Sequence, residues 1–191
     1  GKFIDLFEAL ERIGTAMQAV HLTEKQIAPG PLVLPLAKID RGRITEVGGK
    51  AANLGEIRNR IKLPVPEGFA VTAYACRVFL EQGRLDRWIA GLLKDLDIED
   101  TDRLLRVSDD LKARILQTPI PPALTRSILS AGDELVQRFG TKIRLAVRSS
   151  AASEDSEASF AGQHSTVLNV AWDDLPAAYR EVVASVYNSR A

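Results

Sequence analysis

Gly140-Thr141-Lys142-Ile143-Arg144-Leu145-Ala146-Val147-Arg148-Ser149-Ser150-Ala151 marks a change of texture in the chain. Ile143 to Val147 has the β-branched and alternating character of a strand. Arg148 to Gly162 is then a loop of small and acidic residues. Thr166-Val167-Leu168-Asn169-Val170 reads as a second strand. A last helix starts near Asp173 or Asp174, takes Pro176 in its first turn, and presents Leu175, Tyr179, Val182 and Val186 on one face. Strands this short among helices imply an α+β fold with a small mixed or antiparallel sheet.

Upstream the pattern is mostly helical. Leu124, Ile128, Ala131 and Leu135 mark an amphipathic helix that Gly140 can stop. Residues 86–96 and 100–117 predict two more helices, ended by Pro119, Pro121 and Pro122. Phe69-Ala70-Val71 is a short apolar strand after the turn Pro64-Val65-Pro66-Glu67-Gly68. Thr72 is placed to cap the helix carrying Tyr74, Val78 and Phe79. Gly48-Gly49-Lys50 opens a helix from about Ala51 to Arg60, with Ala51, Leu54 and Ile57 available for packing. Leu32 to Leu36 is a short extended run.

Residues 3–20 carry Phe3, Leu6, Leu10, Ile13, Met17 and Val20 in alternating steps of three and four, a helical seam shorter than three heptads. Ala28-Pro29-Gly30-Pro31 breaks the chain after it. The expected organisation is therefore a helical extension and linker over 1–33 and a second unit over 34–191. Across the 191 residues, 25 basic and 25 acidic side chains cancel, so no global field selects nucleic acid or an anionic membrane surface. No apolar run approaches the length of a membrane span, and the first residues lack a signal-peptide pattern. The single cysteine, Cys76, cannot form an intramolecular disulfide. A cytoplasmic protein is expected.

Charge is uneven locally. Residues 41–62 hold six basic against two acidic side chains, whereas 149–179 hold no Lys or Arg but include Glu154, Asp155, Glu157, Asp173 and Asp174. Attraction between the two segments accounts for this as well as a bound anion does. Three motifs fit an anion. Gly48-Gly49-Lys50 lets helix-start amides and a lysine approach phosphate, though Ala51 follows where a Walker A motif has Ser or Thr; taken alone, a plain helix-starting turn with a solvated lysine explains it better. Arg148, leaving a strand into a hydroxyl-rich loop, suits bidentate contact with phosphate oxygens or a salt bridge to Glu154, Asp155 or Glu157. Ser159-Phe160-Ala161-Gly162-Gln163 can be a loop that closes on phosphates, with Gln163 and Thr166 as donors, or a turn between strands. Neither histidine completes a metal set: His21 and His164 are far apart in sequence. A triad of Ser149, His164 and Asp155 lacks a nucleophile elbow.

Taken in order, Val47-Gly48-Gly49-Lys50-Ala51-Ala52-Asn53-Leu54-Gly55, Val65-Pro66-Glu67-Gly68-Phe69-Ala70-Val71-Thr72-Ala73-Tyr74, Ala146-Val147-Arg148-Ser149-Ser150-Ala151, Ala158-Ser159-Phe160-Ala161-Gly162-Gln163-His164 and Leu168-Asn169-Val170 resemble the nucleotide-binding domain of the phosphoenolpyruvate synthase and pyruvate phosphate dikinase family. The resemblance runs from about Leu34 to Ala191. It implies the first part of an ATP-grasp type domain that binds ATP with Mg2+ and phosphorylates a histidine on a separate swivelling domain. That phosphohistidine then supplies pyruvate at a third, barrel domain. By resemblance, Lys50 and Arg148 hold ATP phosphates, Arg148 in the catalytic role. Gly162, Gln163 and Thr166 belong to the glycine loop that closes on the nucleotide.

Two departures stand out. The family's Ala-Thr-Ala-Glu-Asp-Leu-Pro segment corresponds to the region Ala151-Ala152-Ser153-Glu154-Asp155-Ser156-Glu157 here, which lacks the proline. Neither His21 nor His164 sits in the family's phosphorylated-histidine motif. The resemblance places the acidic Mg2+ ligands beyond Ala191, so no metal ligand is assigned within this chain and the isolated chain is expected to be inactive. Related phosphotransferases with an antibiotic or glucan acceptor share the domain. A different class remains open: a non-catalytic binding module whose 3–20 helix docks on a partner or forms a homodimer.

Overall fold

The computed structural model describes residues 27–94, 100–150 and 166–187; the expected helix at 3–20 and the glycine loop lie outside the described residues. β1 (Val33–Pro35) leads through short turns into α1 (Ile44–Val47) and α2 (Gly49–Glu56), which continues as one wider π-type turn over Ile57–Ile61. β2 (Phe69–Val71) is followed by α3 (Ala73–Gln82), α4 (Leu85–Lys94), α5 (Thr101–Gln117) and α6 (Pro122–Phe139). β3 (Leu145–Arg148), β4 (Thr166–Val170) and α7 (Leu175–Ser185) complete the described fold. It is α+β, with two antiparallel two-stranded sheets, β1–β2 and β3–β4.

Local chemistry explains several boundaries. Thr72 caps α3 by accepting from the Ala75 N–H at 3.2 Å, and it donates to the Pro31 carbonyl at 2.7 Å. Asp100 caps α5 through the Arg103 N–H. Pro122 occupies the first turn of α6, and Gly140 terminates it. The β3 strand begins two residues later than the sequence predicts, at Leu145, and extends through Arg148.

The main core gathers Phe79, Leu85, Ile115, Leu124 and Ile128, all fully buried, with Tyr179 meeting Phe79 edge-on at 6.0 Å. Each such side chain contributes roughly 1.5–3 kcal/mol by leaving water. A surface ion pair contributes about 0–1 kcal/mol, so the core outweighs the charged network in holding the helices together. Burial is the largest cause pushing the Tyr179 phenol well above its ordinary pKa, with the neighbouring Cys76 adding to it. Cys76 is half-buried on α3 and packs on this core.

One ion cluster nevertheless ties distant elements together. Glu67, in the turn before β2, accepts from Arg58 at 2.6 and 2.7 Å in a bidentate pair and meets Arg138 of α6 at 2.7 Å. The Arg58 hydrogen bonds, aided by the charges of Arg58 and Arg138, hold the Glu67 carboxyl below its ordinary pKa against the opposing effect of partial burial. Because the folded value is depressed, this stabilisation is present above the ordinary carboxylate pKa. It is lost as pH falls through the folded value. Glu67→Gln is expected to lower stability at neutral pH by about 1 kcal/mol. It should also remove part of the acid dependence, read from denaturation midpoints between neutral and acidic pH.

The β3–β4 register also shifts. Leu145 opposes Val170 and Val147 opposes Val167, so β4 carries an extra residue there, and Asn169 takes φ 60°. Asparagine tolerates this left-handed backbone where a β-branched residue does not. Asn169→Val is expected to cost about 1–2 kcal/mol, and Asn169→Gly should stay close to the native stability in the same urea titration.

Candidate functional site

The Lys50 helix is held by small residues. Ala51, Ala52 and Gly55 are buried against a second core of Leu34, Leu36, Ile39, Val47 and Ala70, while Leu54 is exposed. Of Ala51, Leu54 and Ile57, which the sequence offers for packing, Ala51 is buried, Ile57 is half-buried and Leu54 is exposed. On its packed face the helix approaches the Leu36–Ile39 turn too closely for a side chain as large as leucine. A Cβ on Gly55 would lie 2.4 Å from the Ile39 carbonyl oxygen. Asn59, on the wide turn that follows, donates to the Leu36 and Ile39 carbonyls at 2.8 and 2.7 Å and completes this seat.

The first turn of α2 meets the end of β3. Ser150 Oγ accepts the Ala51 N–H at 3.0 Å, across 99 positions of sequence. Gly48, at φ +77°, lies so close that a Cβ there would fall 1.8 Å from the Ser150 carbonyl oxygen. Covalent geometry then limits the Lys50 and Arg148 Cα atoms to at most about 15 Å apart, a gap that two long side chains can close on one polyphosphate. Both residues are exposed. Arg148 lies directly opposite Thr166 in the β3–β4 register, and both lie on the solvent-facing side. Three sequence candidates, Lys50, Arg148 and Thr166, thus belong to one corner of the fold. Gly162 and Gln163, like the carboxylates Glu154, Asp155 and Glu157, lie outside the described residues.

Not every helix-start amide is open to an anion. Gly48 N–H donates to the Ile44 carbonyl at 2.8 Å, and Ala51 N–H is taken by Ser150. The corner therefore offers cationic side chains more than a cradle of free amides. Sequence reasoning grouped Ser150 only with a hydroxyl-rich loop and did not foresee that it caps a helix 99 positions away. The absence of a side-chain cap at Gly48 was the one available signal.

Three of the six basic residues of the stretch 41–62 pair with glutamates. Arg43 pairs with Glu46, Arg60 with Glu56, and Arg58 with Glu67. Neither cross-fold attraction to the later acidic segment nor an anion is needed to account for these arginines. Among the described residues no three His, Cys, Asp or Glu side chains converge where a metal could sit. The described residues thus do not by themselves make a site for Mg2+. Among the described residues no helix is long and apolar enough to cross a membrane.

The sequence profile of the family described as "Pyruvate phosphate dikinase, AMP/ATP-binding domain" matches residues 44–191. The chain belongs to this family. The matched region contains Gly48, Lys50, Arg148, Ser150 and Thr166, so the corner built above lies within the AMP/ATP-binding domain. Among curated relatives, the chain is 42% identical over 161 residues to the probable phosphoenolpyruvate synthase of Staphylothermus marinus, covering 82% of this chain and 19% of the relative. It is 43% identical over 154 residues to the phosphoenolpyruvate synthase of Neisseria meningitidis serogroup B, covering 78% and 19%. To the phosphoenolpyruvate synthase of Escherichia coli strain K12 it is 39% identical over 172 residues, covering 84% and 21%. The chain therefore spans about a fifth of the length of these relatives.

Gly48→Ala tests the joint between α2 and β3. It adds a methyl group against backbone and forces an unfavourable φ, so it is expected to cost roughly 2 kcal/mol or more by chemical denaturation. Gly42→Ala, on the exposed turn before α1, is the comparison and should cost less.

Proposed function

We propose that this chain supplies the phosphate-contacting part of an ATP site in a phosphoenolpyruvate synthase-like phosphotransferase. Lys50 acts as a point charge and Arg148 as a planar two-pronged donor on the phosphates. Thr166, with Gly162 and Gln163, closes over them. In the whole enzyme the phosphoryl group passes from ATP to a histidine on a separate domain, and from there to pyruvate on a third. The imidazole nitrogen forms a bond to phosphorus as the phosphorus–oxygen bond to the nucleotide breaks, and the nucleotide leaves with that oxygen and its electron pair. Such a transfer needs alignment and charge neutralisation more than covalent help from the protein. Mg2+, held by residues outside this chain, supplies further neutralisation when bound. A cytoplasmic setting is part of the same proposal.

The observation that carries this reading is the contact of Ser150 with Gly48 and Ala51, which joins the backbone beside Lys50 to the backbone beside Arg148. The family and its relatives support the chemistry: the matched domain is described as AMP/ATP-binding, and the relatives cited are phosphoenolpyruvate synthases. They favour pyruvate over an antibiotic or glucan acceptor. They also weigh against a purely non-catalytic module, whose docking helix at 3–20 lies outside the described residues.

In the full-length parent, Lys50→Ala and Arg148→Ala are each expected to lower ATP-dependent phosphohistidine formation by about 100-fold or more, with circular dichroism unchanged. Native rates in both variants would overturn the assignment.

A further inference from the structure

We propose that Ser150 is a positioning residue for the nucleotide phosphates. Its hydroxyl sets the first turn of α2, and with it Lys50, relative to Arg148. The proposal rests on the reading of Lys50 and Arg148 as phosphate ligands and adds a residue that does not itself touch ATP.

The argument starts from what α2 lacks. A helix N-terminus ordinarily takes a Ser, Thr, Asp or Asn cap, whose oxygen accepts from an amide of the first turn. Here the cap position is Gly48, which makes no side-chain cap and has no room for one: φ is +77° and the Ser150 backbone occupies the space a Cβ would need. The missing acceptor comes from Ser150, at 3.0 Å from the Ala51 nitrogen. Ala51 follows Lys50 directly, and Ser150 lies two residues beyond Arg148. One hydrogen bond therefore links the two turns that carry the cations.

The kind of acceptor also matters. A carboxylate would cap the turn equally well but would place a negative charge beside Lys50. The first turn of α2 contains no acidic residue. A neutral hydroxyl satisfies the amide and leaves the positive potential of the helix start available to phosphate. The rest of α2 is anchored at its other end by Gly55 and Asn59. Losing the Ser150 hydroxyl would thus free the first turn while the helix stays docked.

The test is equilibrium binding of ATP to the full-length parent, at a temperature where each variant is folded by circular dichroism. Ser150→Ala is expected to weaken ATP about tenfold, and Ser150→Thr, which keeps the hydroxyl, about threefold or less. In a Lys50→Ala background, Ser150→Ala should cost less than about threefold, because there is no lysine left to misplace. Should Ser150→Ala not fold, Ser150→Cys keeps the volume with only a weak acceptor and must show the same loss. Native affinity in the folded Ala or Cys variant would overturn the proposal. So would an undiminished tenfold loss in the Lys50→Ala background, which would mean that Ser150 contacts ATP itself. Failure of the underlying reading looks different: Lys50→Ala and Arg148→Ala would then bind ATP as tightly as the native protein.

Discussion

The arrangement of the candidate site depends on one close contact, the Gly48–Lys50 turn against the backbone and hydroxyl of Ser150. Its two sides come from segments 99 positions apart, and each is fixed by its own core. The Lys50 side rests on a small cluster of Leu34, Ile39, Val47, Ala52 and Ala70, while the Arg148 side grows out of a sheet whose Leu145, Val147 and Val167 pack on the main core. Because both cores are formed by ordinary apolar burial, the polar joint need contribute only about one hydrogen bond to stability. Its importance is geometric. It determines where two cations stand relative to each other.

The cations of the fold stand in two kinds of place. Arg58 and Arg138 converge on Glu67, and Arg43 and Arg60 have glutamates within one helical turn. These pairs hold turns in place and largely neutralise one another. Lys50 and Arg148 occupy exposed positions at the joint itself. An ATP polyphosphate is a highly charged anion, and a site for it needs cations whose placement does not change as the ligand arrives. The small residues of α2, the Asn59 hydrogen bonds and the antiparallel pairing of Arg148 with Thr166 all fix the backbone beside Lys50 and Arg148.

Much of the secondary structure was legible because it rests on local signals. The Thr72 cap, the proline stop after α5, the Gly140 stop and the strands 69–71 and 166–170 all follow from side-chain chemistry within a few residues. The α+β class followed from short strands set among helices, and the family from short motifs in fixed order. The face of α2 was legible only in part: Ala51 is buried as expected, but periodicity also favours Leu54, whereas the tight approach to Ile39 selects Ala52 and Gly55. The extra residue at Asn169 and the role of Ser150 were not legible, since register and contacts between distant segments have no signature in local sequence. The basic stretch misled in another way. A charge count cannot distinguish arginines that pair with nearby glutamates from cations placed for a ligand.

Hydrogen–deuterium exchange of the full-length parent, with and without ATP, tests the central claim most directly. If the Ser150 contact makes one phosphate site of two distant segments, ATP should slow exchange together in residues 48–53 and 146–150. Protection confined to one of these segments, or found in neither while ATP is demonstrably bound, would contradict the account.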